Sequence, residues 1–321
     1  MTQPASLRSP ADVVPSRFDP RRANRHGPSD VWRSFTTATR LGWRLEANWT
    51  DPLLFFIYSV AKPVSAALIL VFMVNVISAT PDPLVRGFVV FGSALWSFVI
   101  SGIQGLAQSV LEDRERFQML KYVYLSPSDF GIVLLGRGVA RVAVGAMGAL
   151  IVIAVGIVFL GVPFDLGRVD WPLLIVSMAL GLAAVIAIGV MLAAVCMQTR
   201  QDSWRYPEAV AGALFLLVGA VFPLGILPAP LQIMGLLTPL VWWMQGVRSA
   251  LFTGGPATAG GAGSVLASLT GSDTPSDVLI VVALAVTTAV VVGLAIAAFA
   301  WSERRAKDKG LLDQTCGGLG G

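Results

Sequence analysis

Apolar positions in this chain run together in long stretches, and polar ones gather in short intervals between them. Runs long enough to cross a hydrocarbon layer of about 30 Å as helices occupy residues 53–79, 84–111, 132–160, 172–197, 209–226 and 278–301. The pattern predicts an all-α membrane protein with six transmembrane helices in one transmembrane domain, residues 52–302. A seventh run, Leu231 to Gly246, carries no charge but follows Pro228 and Pro230 and is broken by Pro239. Proline in a lipid-facing helix leaves backbone groups unpaired, so residues 228–248 are expected to form a re-entrant outer segment before the last span.

Ahead of the first run, the spacing changes to that of a half-buried helix. Val31, Phe35, Ala38, Gly42, Leu45 and Trp49 share one face at 100° per residue, and Arg33, Arg40 and Arg44 fall within about 40° of one another on the opposite face. Ser29 is placed to cap this helix, and Asp51-Pro52 ends it. Residues 30–51 are therefore expected to be an interfacial amphipathic helix on the inner leaflet. Residues 1–29, with Pro10, Pro15, Pro20 and Pro28 among scattered arginines, have no apolar core and read as a disordered cytoplasmic leader; residues 303–321 read as a cytoplasmic tail.

Composition narrows the function. The chain is 55% hydrophobic and 13% charged, against about 25% charged in a soluble domain. The single histidine, His26, lies in the leader, and the two cysteines, Cys196 and Cys316, have unlike surroundings, so neither a metal site nor a disulfide framework is visible. No catalytic residue, metal ligand or cofactor-binding residue is assigned, and no buried His, Cys or carboxylate pair supports an intramembrane enzyme. A proton- or sodium-coupled secondary transporter, the rival from another class, would ordinarily need an ionisable or unwound site at mid-membrane, and no carboxylate stands there.

Charge sets the orientation. With both termini, residues 112–131 and residues 198–207 on one side, and with Lys62, Arg137 and Arg141 counted there, that side holds 20 of the 23 Lys and Arg. Only Arg86, Arg168 and Arg248 remain on the other. The bias places both termini in the cytoplasm of a multi-pass plasma (inner) membrane protein.

The densest polar interval is Leu111 to Gly131, LEDRERFQMLKYVYLSPSDFG. Six charges lie between Glu112 and Lys121, each costing roughly 2.5–3.5 kcal/mol at a bilayer centre, so the segment belongs outside the hydrocarbon. Glu112 and Arg116 stand four apart as a helical ion pair, and Phe117, Leu120 and Tyr124 form an apolar stripe that needs a partner. Ser126-Pro127-Ser128-Asp129 then stops this helix, residues 112–125, and caps the next.

At these residues the sequence resembles type-2 ABC exporter permeases, the membrane subunits of ATP-binding-cassette transporters. The match is the charged linker Glu112 to Tyr122, followed by Leu125-Ser126-Pro127-Ser128. A second match, Leu227-Pro228-Ala229-Pro230-Leu231-Gln232 with Pro239 and Arg248 behind it, is similar to the segment before the last span in the daunorubicin-exporter branch. The resemblance implies that residues 112–125 are a coupling helix docked on an ATP-hydrolysing partner subunit, through Glu112, Arg116, Phe117, Leu120, Lys121 and Tyr124. It also implies a second permease subunit, as homodimer or heterodimer, and export of a hydrophobic or amphipathic compound, with a lipid-linked polysaccharide as the alternative cargo. The sequence has no Gly-x-x-x-x-Gly-Lys-Ser/Thr, so ATP and Mg²⁺ are expected on the partner and no cofactor on this chain. Nucleic acid is not an expected partner; the bilayer is.

Polar residues within the spans supply the remaining candidates. Ser93, Ser97, Ser101, Gln104 and Gln108 share one face of the second span, and Glu112 extends the line. Such a face packs helices, as Gly102 and Gly105 nearby would favour, or lines a translocation path together with Arg137 and Arg141. Those two arginines could equally snorkel to lipid phosphates from the start of the third span. Trp171, Trp242, Trp243 and Trp301 fit an interfacial belt, and Pro228, Pro239, Trp242 and Trp243 are candidates for an outer gate, with sugar stacking as a second reading of the tryptophans.

The orientation is checked by cysteine-accessibility labelling: positions near Thr253 should react from outside and positions near Lys307 only from the cytoplasm. Labelling of Lys307→Cys from outside contradicts it.

Overall fold

The computed structural model describes residues 28–47, 52–77, 82–116, 130–162, 164–199, 205–252, 256–261 and 263–308. Among these, every regular element is helical: α1 (Pro28–Ala47), α2 (Pro52–Ile77), α3 (Pro83–Leu111), α4 (Phe130–Leu160), α5 (Trp171–Gln198), α6 (Arg205–Leu217), α7 (Ala229–Leu236), α8 (Pro239–Leu251), α9 (Val265–Thr270) and α10 (Asp277–Asp308). A π-helical turn, Glu112–Arg116, prolongs α3. Among the described residues, four helices are long and apolar enough to cross a membrane, namely α3 through Arg114, α4, α5 and α10 through Arg305.

The bundle is organised around α3. It begins cleanly because Asp82 accepts a hydrogen bond from the Leu84 amide at 2.9 Å and Pro83 fills the first helical position. It packs on α4 and α5 and touches α2, α6 and α8. Close approach comes from small residues. Gly138 of α4 and Gly189 of α5 both receive the Leu106 side chain, and Gly102 of α3 receives Val185. In lipid, where apolar surface alone gives no preference for protein over tail, such dispersion contact supplies much of the association.

α1 presents the expected face, but to a different partner. Ala38 is 5% exposed, and Cβ atoms built at Gly136 and Gly42 would crowd Phe35 and Ala38 on one helix and Arg137 and Ala140 on the other. The apolar stripe is thus taken up by α4, whereas Trp32, Leu41 and Trp43, flanking it, are exposed.

The fifth apolar run departs from expectation. Residues 209–226 were expected to form one span, but α6 starts at Arg205 and stops at Leu217. Its 13 residues extend about 20 Å, less than the hydrocarbon thickness. Gly219, at φ 69°, turns the chain, and a 3₁₀ turn, Leu224–Ile226, follows Pro223.

The proline-broken run that follows is two helices with a bend. α7 ends where Thr238 binds back to Gly235, and α8 starts at Pro239. The Trp242 indole N–H donates to the Leu236 carbonyl across the bend at 2.8 Å. The C-terminal end of this hairpin lies where α5 begins, since Asp170 N–H donates to Ala250 O; Leu224 N–H, ahead of the hairpin, donates to Thr258 O, whose side chain meets Arg248. α8 itself is buried against α5 and α10.

Gly181 of α5 lies directly under the Trp243 indole. Gly181→Val should therefore destabilise the protein by about 1–3 kcal/mol through overpacking, read as a lowered thermal midpoint in detergent. Gly212→Ala, where a Cβ meets nothing, should leave it unchanged or slightly raised.

Candidate functional site: a polar cleft and its ionic base

The polar face of α3 borders a cleft of about 570 Å³. Ser93, Ser97, Ser101, Gln104 and Gln108 line one wall; Pro63, Ala66 and Leu70 of α2, Val144, Gly145 and Gly148 of α4 and Phe215 of α6 line the rest. The face both packs against neighbouring helices and borders the cleft. Ser101 packs against Gly145, and Gln104 donates to Pro207 O at 3.4 Å, while the same row of side chains remains at the cavity surface. Trp96 and Phe215, with ring centroids 5.1 Å apart, stand together in the lining.

Arg141 closes one end. Its guanidinium donates to Gln108 Oε1 at 3.0 Å and to both carboxylate oxygens of Glu112 at 2.8 and 2.9 Å. Arg137, one turn earlier on α4, does not line the cleft. It is ion-paired with Asp113 and lies 3.7 Å from Glu112, its side chain 5% exposed. Arg114 completes the base by donating to Cys196 O and Thr199 O, at 3.1 and 2.8 Å, at the end of α5. Three consecutive residues of one turn therefore tie α3 to two helices, Glu112 and Asp113 to α4 and Arg114 to α5.

This arrangement corrects one expectation. Arg137 and Arg141 do not snorkel to lipid but turn inward, because two carboxylates at the end of α3 offer a closer counter-charge. Glu112 is engaged by Arg141; its expected helical partner Arg116 has its side chain outside the described residues, as do Phe117, Leu120, Lys121 and Tyr124 entirely. The side chain of Lys62 does too. The signal for the base was present in the sequence, since Glu112 continues the row that ends in Gln108.

The candidate gate is differently built from a belt. Trp242 and Trp243 are 5% and 0% exposed, in the bundle core, with Trp243 5.7 Å from Phe98 between ring centroids. Pro239 is buried at the start of α8 and Pro228 is exposed. Trp171 and Trp301 are exposed, at 50% and 56%.

The residue that sequence reasoning passed over is Arg248. It is 4% exposed and donates to Gly219 O, Ala220 O, Phe88 O and Thr258 Oγ1 at 2.6–2.9 Å, with its guanidinium 3.5 Å from the Phe88 ring centroid. The carbonyls of Gly219 and Ala220 are available because the chain turns there without forming a helix. Gln245 adds to the pin by accepting from the amides of Thr258 and Ala259. A lone arginine in an uncharged apolar run was the available clue. Among the described residues no cluster of three or more His, Cys, Asp or Glu could hold a metal.

A multi-pass helical protein with a half-polar cleft between its long apolar helices has a build that suits a transport subunit. The chain belongs to the ABC-2 type transporter family, whose model matches residues 36–252, from α1 to the end of α8. It is accordingly a membrane permease of the ABC transporter class. No curated protein matches the chain.

The ionic base is checked by a double-mutant cycle. Glu112→Ala and Arg141→Ala should show a coupling of about 1–2 kcal/mol in unfolding from mixed micelles, because the pair is largely withdrawn from water. The same cycle on Arg168 and Asp165, whose side chains are 75% and 64% exposed, should give close to nothing.

Proposed function

We propose that the chain is the membrane-spanning half of an ATP-driven exporter. It works as one of two permease subunits, each carrying a separate ATP-hydrolysing subunit on its cytoplasmic face, and moves a hydrophobic or amphipathic compound out of the cytoplasm. In this reading α2, α3, α4, α5, α6 with its following turn, and α10 are the six spans, the α7–α8 hairpin dips in from the outer face, and α1 lies at the inner interface with Trp32, Leu41 and Trp43 toward lipid. The cleft on α3 is the cargo route. Family membership supports the class, and the daunorubicin-exporter branch rests on the proline pattern before α8.

One observation carries the mechanism. The π turn that leads from α3 toward the charged segment is the same turn that holds Arg141 at the end of the cleft. A displacement of the segment beyond Arg116 by the ATPase is therefore delivered to Glu112 and Asp113, and from them to α4 and the cleft. ATP closure pulls the turn, the Glu112–Arg141 link moves with it, and access to the cleft changes sides. The pin at Arg248 keeps the opposite end of α3 fixed to the hairpin while the base moves. Burial of Trp242 and Trp243 removes the reason for preferring a polysaccharide, since neither ring is free to stack on a sugar.

The test is co-purification and transport. The chain, expressed with a candidate ABC ATPase subunit, should hold that subunit through purification. Phe117→Ala with Leu120→Ala should weaken the association by about 1–3 kcal/mol and reduce transport and substrate-stimulated ATP turnover together, while membrane insertion stays normal. Normal association and normal transport in the double variant would show that this segment is a connector only.

A further inference from the structure

The lining of the cleft points to the charge of its cargo. Among the described residues the ionic groups at the cleft are balanced within the protein: Arg141 is held by Glu112, and Arg137, beside it, by Asp113. The remaining polar surface is hydroxyl and primary amide, Ser93, Ser97, Ser101, Gln104 and Gln108, in a row about 22 Å long on α3. Facing it are aliphatic and aromatic groups, Leu70 and Phe215 among them, and Trp96 stands beside the row on α3 itself. Among the described lining residues, a permanent cation entering this space would meet no carboxylate, and a permanent anion only the Arg141 guanidinium, which Glu112 and Gln108 already engage. Either would exchange its hydration for dipoles alone, at a cost that an uncharged solute avoids.

From this we infer that the cleft selects an electrically neutral amphiphile. Its cargo lies lengthwise, with a hydrogen-bonding edge of hydroxyl or amide groups on the α3 row and an apolar body against α2 and α6. This rests on the proposed use of the cleft as the cargo route and goes further by fixing the class of compound. Glu112 is the specificity-determining residue: it does not meet the cargo, but it cancels the one cation that lines the cleft. Gln104, midway along the row, is the contact where an added charge would change the selection most simply.

The test uses three dansyl-dodecyl amphiphiles that differ only in the head group: neutral glucamide, trimethylammonium and sulfonate. Binding to the full chain in phosphatidylcholine nanodiscs is measured by fluorescence anisotropy, with empty nanodiscs subtracted. The glucamide probe is expected to bind at least about tenfold tighter than either charged probe, equivalent to one to two net hydrogen bonds. Glu112→Gln should raise affinity for the sulfonate probe above that for the ammonium probe. Gln104→Glu, which leaves the ion pairs intact, should raise the ammonium probe instead, so the inference stays testable if Glu112→Gln does not fold. Equal binding of all three probes, or a preference for a charged one in the unaltered chain, overturns the neutral selection while leaving the cleft as the route. Absence of saturable binding by any probe overturns the cleft as the cargo site, and with it this inference.

Discussion

A charged group below the surface of the hydrocarbon layer has no water to turn to, and it must find its partners inside the protein or reach the interface. In this chain the constraint is met in two ways at the two ends of α3. At one end Arg137 and Arg141 meet Glu112 and Asp113, charge against charge. At the other, Arg248 meets carbonyl oxygens, a hydroxyl and the face of Phe88, with no carboxylate among its described partners. The two solutions have different mechanical consequences. An ion pair between two side chains can shift as a unit, whereas a guanidinium holding four acceptors on three stretches of chain fixes those stretches to one another.

The position of the cleft follows from these anchors. α3 is held to α4 by closely approaching small residues and by the ionic base, and to the hairpin by Arg248. Its serine and glutamine row cannot all be absorbed at helix contacts: Gly145 takes Ser101, and Pro207 O takes Gln104, but the row still forms one wall of a 570 Å³ space. A half-polar space inside a membrane bundle is costly unless something polar occupies it, which is the physical reason for reading it as a route rather than a packing defect.

Much of this was legible in the chain. Period and length placed α2 to α5 and α10, the step of the α3 row placed its residues on one face, and the prolines before α8 announced a broken run. What sequence could not show was the outcome of competition between partners. The helical spacing of Ala38 and Gly42 on α1 was legible, but not that Gly136 and Ala140 of α4 would meet them. The arginines at the start of α4 had lipid phosphate as one partner and the end of α3 as another, and only the three-dimensional approach decides. Trp242 and Trp243 were read as interfacial from residue type, but Gly181 opens a seat for an indole in the core. The fifth run ended early because Gly219 and Pro223 turn the chain, a local signal that hydropathy averages away.

The central claim is that the α3 row faces a compartment whose access is driven from the charged segment. It is tested most directly by placing a single cysteine at Ser101, with Cys196 and Cys316 replaced, and following its reaction with a membrane-impermeant thiol reagent in vesicles that contain the co-expressed ATPase. The account predicts reaction from the cytoplasmic side without nucleotide, loss of that reaction when ATP is bound, and no reaction from either side for a cysteine at the core position Val90. Labelling at Ser101 that is absent, or that does not change with ATP, would contradict it.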